Sequence, residues 1–179
     1  MKKIGISIVA LFMGLGLYSC ASTVSMIRGQ YSVVNSVTTT SSFEDVWSRV
    51  IDFFAENNIP IGTIAKDSGI ITATNIRFGD NLVSYEDKYG QIVNPNAWFV
   101  LPYMKDVVGG RADCSFNVRV RKNDNGTCSI QVNLSNITGY YNIEWLNTMN
   151  FKKEIIENTV PKPCSSTGAF ENALLALFK

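Results

Sequence analysis

From Ser41 to Phe54 the apolar residues recur every three or four positions. Phe43, Val46, Trp47, Val50, Ile51 and Phe54 form one stripe, which predicts an amphipathic helix that Asn57, Asn58 and Pro60 end. Ser41-Ser42-Phe43-Glu44 reads as its capping box. Elsewhere the period shortens towards two. Tyr31 to Thr40 predicts a first strand, and Ile59 to Ala65, a Lys66-Asp67-Ser68-Gly69 turn and Ile70 to Phe78 predict a hairpin. Thr72 and Thr74 alternate with Ile71 and Ala73, so one face of that strand meets solvent. Asp113 to Lys122 and Thr127 to Ile137 predict a longer hairpin. Gly139 to Val160 is less regular; the mixed run Phe151 to Glu157 reads as a short helix or irregular chain, broken by Pro161 and Pro163. A final helix is predicted from Ala169 to Phe178, capped by Ser166 or Thr167, with Phe170, Leu174, Leu177 and Phe178 on one face.

Parity fixes the register of the longer hairpin. Cys114, Phe116, Val118 and Val120 share one face of its first strand, and Cys128, Ile130, Val132 and Leu134 share one face of its second. An Asp124-Asn125-Gly126 loop keeps both sets on the same side and puts glycine at its left-handed position. Cys128 then faces Lys122 and Cys114 faces Asn136, about eight residues or about 26 Å apart along the ladder, too far to bridge.

The element order predicts one α+β domain over residues 31–179. It is an antiparallel sheet with an N-terminal amphipathic helix and a C-terminal helix packed on one face, and residues 80–110 form an insertion.

The first twenty residues are of another kind. Lys2 and Lys3 precede an apolar run from Ile4 to Leu17, followed by Leu17-Tyr18-Ser19-Cys20, the pattern of an export signal. The run is short for a helix crossing about 30 Å of hydrocarbon. The tetrapeptide resembles the lipobox of bacterial lipoproteins. That resemblance implies cleavage of residues 1–19, a diacylglycerol on the Cys20 thiol and an N-acyl chain on its amino group. No Asp follows Cys20, so the expected address is the outer membrane. An ordinary cut near Ser19, Ala21 or Ser22, or an uncleaved anchor, is the competing reading. Residues 20–30, polar and small, are expected to be a tether.

Cleavage leaves about 160 of 179 residues, enough for one core. Loss of Lys2 and Lys3 turns the formal charge from +1 to −1, and no clustered basic face suggests nucleic acid. Arg119, Arg121 and Lys122 read as a solvated sheet face. With no histidine in the chain, Ser-His and Cys-His activation and every His-containing zinc site are excluded. Lipidation of Cys20 leaves Cys114, Cys128 and Cys164, so any internal disulfide must use Cys164, its partner being open.

The lipobox together with Phe43-Glu44-Asp45-Val46-Trp47, Asp67-Ser68-Gly69-Ile70-Ile71 and Ser166-Thr167-Gly168-Ala169-Phe170-Glu171 resembles small outer-membrane lipoproteins with a TATA-binding-protein-like (TBP-like) or BamC-like domain, several of which in Bacteroidetes have no assigned function. The implied role is a non-enzymatic binding or scaffold module, tied to the membrane by lipid and meeting another envelope protein. A glycan- or lipid-binding carrier or sensor is the alternative, and an enzyme the third. No catalytic residue, metal site or cofactor beyond the acyl chains is expected. Candidate contact residues are the aromatics Trp98, Phe99 and Tyr103, beside Asn94-Pro95-Asn96, and Tyr140, Tyr141 and Trp145 in a turn-rich segment.

Overall fold

A computed structural model describes residues 26–79, 81–149 and 151–179; Cys20 and the leader lie outside the described residues. The strands are β1 (Ser36–Thr39), β2 (Thr63–Ala65), β3 (Ile70–Phe78), β4 (Val83–Tyr85), β5 (Phe99–Leu101), β6 (Val107–Lys122), β7 (Cys128–Asn147), β8 (Lys152–Glu157), β9 (Lys162–Pro163) and β10 (Ser165–Ser166). The helices are α1 (Phe43–Glu56) and α2 (Ala169–Leu175). A seven-stranded sheet runs β1-β7-β6-β3-β2, with β8 and β9 also on β7, and a three-stranded sheet runs β10-β5-β4.

This architecture overturns the α+β assignment. Strands take up 46% and helices 18%, so the fold is mostly β, dominated by a large antiparallel sheet with two short helices. The physical reason is the length of β6 and β7, which run 16 and 20 residues, well past the expected hairpin. The segment expected to be helical or irregular is strand β8. With that class goes the TBP-like or BamC-like frame. Residues 80–110 supply β4 and β5 of the second sheet, which β10 completes from the C-terminal segment.

Locally the chain follows its pattern. Ser42 caps α1 by accepting the Asp45 N–H at 3.2 Å, one position later than the capping box read from sequence. Val46, Trp47, Val50, Phe53 and Phe54 are buried. Lys122 pairs with Cys128, as parity requires, and the matched register holds as far as Ser115–Ser135. There it slips by one residue, because Asn136 takes φ 53 and inserts a bulge opposite Cys114. A second bulge, with Asn75 at φ 54, falls beside it on β3. Asn is among the residues best able to take this left-handed conformation.

The core lies between the inner face of the large sheet, the two helices and the small sheet. Phe170 of α2 is its hub, with ring centroids 4.9 to 6.2 Å from Phe116, Trp98, Phe53 and Phe78. Gly69 sits at φ 65 with its carbonyl accepting the Val120 N–H at 2.7 Å, and a β-carbon there would fall 1.9 Å from the Val120 carbonyl oxygen.

Candidate functional site

The six aromatic candidates are not brought together. Phe99 is fully buried, and Trp98 is half-buried, packed edge-on to Phe78 and Phe170. Tyr103, by contrast, reaches the surface. Tyr141 is also buried, its hydroxyl donating to the Pro102 carbonyl at 2.6 Å. Burial, then the nearby Cys164 thiol and Glu86 carboxylate, push its phenol well above the ordinary range. Tyr140 carries the Arg111 guanidinium 4.0 Å above its ring, and Arg111 pairs with Glu157 at 2.7 Å. Trp145 alone of the tryptophans is largely exposed, at 59%.

Trp145 belongs to an arm. The pairing of β6 with β7 ends at Val107–Ile143, but β7 continues to Asn147 and turns back as β8, pairing Asn147 with Lys152 and Asn142 with Glu157. Asn147 closes the turn by accepting the Met149 N–H at 3.0 Å, and Phe151 takes φ 54. Beyond Ile143 no third strand joins this ribbon among the described residues, and every residue of β8 is exposed. Trp145 stands opposite Glu154 and Leu146 opposite Lys153, so large apolar side chains occupy both faces. Neither face can therefore be turned into the core without exposing the other. Met149 is 95% and Phe151 81% exposed at the turn, and Leu146, Ile155 and Ile156 are exposed along the shaft. Lys153 pairs with Glu144 at 3.0 Å and Asn147 donates to Glu154 at 3.0 Å, which holds the two strands together. Apart from Trp145, this surface escaped the sequence reading because apolar residues on both faces erase the alternation that marks a strand.

At the root of the arm lies a second arrangement. Glu86 is fully buried, and its carboxylate accepts the Arg28 N–H at 2.8 and 3.1 Å, the Gly29 N–H at 2.6 Å and the Tyr31 hydroxyl at 3.2 Å. The Arg28 side chain donates to the Lys88 carbonyl at 3.3 Å. Burial, then the Glu86 charge, push the Tyr31 phenol up to about 12. Residues 28–31, expected to belong to the tether or the first strand, are thus clamped to the 86–90 turn, and the first strand starts only at Ser36. A lone glutamate in a polar turn carries no signal of this in the sequence.

The remaining chemistry is sparse. Cys114, Cys128 and Cys164 are free thiols. Burial pushes Cys114 and Cys164 up to about 12, so both are protonated near neutral pH and poor nucleophiles. Among the described residues no group of three His, Cys, Asp or Glu converges to hold a metal, and no helix is long and apolar enough to cross a membrane. An open groove of about 640 Å³ beside Gly69 is lined by Lys66, Arg119, Arg121 and Lys122, but also by Glu44 and Asp67, a mixed and solvated surface. No protein-family model and no curated protein matches the chain.

Proposed function

We propose that the protein is a lipid-anchored, non-enzymatic binding or scaffold module of the bacterial outer membrane. It is held through diacylglycerol and an N-acyl chain on Cys20, and its partner is another envelope protein. The observation that carries the binding role is the arm: a two-stranded ribbon with large apolar side chains on both faces and every residue of β8 exposed. An exposed strand edge with apolar side chains is a surface that partner chains add to or pack against. Buried, protonated thiols and the absence of histidine from the sequence support a binding role over a catalytic one.

A photo-crosslinking residue at Ile155, 71% exposed on the shaft, tests the reading in intact envelopes. The expected result is one discrete protein adduct, absent when the same residue replaces Asp124 in the β6–β7 turn. An adduct pattern equal at both positions would contradict it.

A further inference from the structure

The tip of the arm differs from its shaft. Met149 and Phe151 are the two most exposed large apolar residues at the turn, Trp145 and Leu146 stand just below them, and Lys152 and Lys153 follow directly. A hairpin tip with a methionine and an aromatic at its end, lysines at 152 and 153 next to it and a tryptophan one step further along the shaft has the composition of the membrane interface. There apolar side chains enter the acyl boundary, tryptophan sits at headgroup depth and lysines reach the phosphates. We infer that this tip rests in the lipid surface of the membrane that carries the Cys20 anchor. The inference goes beyond the partner-binding role of the shaft and rests on the anchoring reading.

Chain length supports lipid as the occupant. Glu86, which clamps Arg28 and Gly29, donates its N–H to the Leu101 carbonyl at 2.9 Å, and the next residue, Pro102, accepts the hydroxyl of Tyr141 at the root of the arm at 2.6 Å. Arg28 and Gly29 are thus held near the root of the arm. From Cys20 to Arg28 are eight residues, which span at most about 29 Å when fully extended. From Ile143, the last paired with β6, β7 runs four more residues to Asn147, about 13 Å, before the turn that carries Met149. The tether therefore reaches as far as the arm projects, and a domain anchored at Cys20 can stand with Met149 and Phe151 at the headgroups. The clamp keeps that leash short, since without it the free chain would extend to β1 at Ser36.

The test uses the full chain, purified from envelopes, in phosphatidylcholine–phosphatidylglycerol vesicles with and without acyl-brominated lipid. The Trp145 signal is isolated by subtracting the Trp145→Phe variant. Trp47 is buried and Trp98 half-buried, so the difference reports the arm. We expect brominated lipid to quench the Trp145 signal, and the double variant Met149→Ser, Phe151→Ser to weaken insertion of the tip roughly tenfold or more. The mass of the N-terminal peptide, measured on the same sample, reads the anchor separately. An acylated protein on vesicles with Trp145 unquenched overturns tip insertion while the anchor stands, and a protein crosslink from position 151 would then assign the tip to a partner. Quenching without acylation keeps tip insertion and removes the anchor; neither signal overturns both.

Discussion

The buried Glu86 carboxylate accepts the Gly29 N–H at 2.6 Å, joining positions 57 residues apart in the chain. With the Arg28 N–H and the Tyr31 hydroxyl on the same group, this bond fixes residues 28–31 against the 86–90 turn. A buried carboxylate with several donors loses most of that support when one oxygen becomes an amide. Glu86→Gln should weaken docking of residues 28–31 by about 1–3 kcal/mol. Hydrogen exchange at the Arg28 and Gly29 amides should accelerate accordingly, while β6 and β7 amides keep their protection. Unchanged exchange at both positions would show that the clamp does not hold the segment.

Gly69 and Gly126 both take positive φ, at 65° and 81°, but only Gly69 is crowded. A β-carbon at Gly69 would meet the Val120 carbonyl oxygen at 1.9 Å, whereas nothing lies within 4 Å at Gly126. Gly126→Ala should cost about 1 kcal/mol from backbone strain alone. Gly69→Ala should cost well over that, about 3 kcal/mol or more, because β3 and β6 must also part. Urea denaturation of the two variants gives the ordering; equal costs would place the crowding elsewhere.

Phe170 touches four aromatic rings from α1, β3, β6 and the 80–110 segment. Phe170→Ala should therefore destabilise the domain by about 3–5 kcal/mol. Met149→Ser and Phe151→Ser, at positions that touch little, should stay within about 0.5 kcal/mol of the parent. A large loss of stability in the tip variants would mean that the tip packs on the body.

Cys114 and Cys164 hold their protons to about pH 12 in the folded protein against an ordinary value of 9.0. Between these limits the unfolded chain has released protons that the folded chain keeps, so stability falls as pH rises. Below about pH 9 the stabilisation is fully present, and it is lost progressively towards about pH 12. The melting temperature should decline between about pH 9 and about pH 10, before the tyrosines contribute, and less steeply in Cys164→Ser. A parallel decline in parent and variant would remove Cys164 as a contributor.

Local order was legible where one face is buried. The stripe from Phe43 to Phe54 and the parity of Phe116, Val118 and Val120 against Ile130 and Val132 both record a single core-facing side, and α1 and the Lys122–Cys128 register follow from them. The class of the fold was misjudged because the same rule fails beyond Gly139. There Trp145 and Leu146, and likewise Ile155 and Ile156, are neighbours in the chain and fall on opposite faces of a ribbon that no core organises. The aromatics Trp98 and Phe99 read as contact residues because composition does not say which way a ring points; Trp98 packs on Phe170 and Phe99 on Phe78, and both turn inward. Glu86 was invisible for a different reason. Its partners are backbone N–H groups of a distant segment, and any sequence supplies those.

If the protein is a membrane-anchored module, the mass of the mature N-terminal peptide from purified envelopes shows it. The expected peptide begins at Cys20 and carries diacylglycerol and an N-acyl chain. An unmodified terminus away from Cys20 would contradict it.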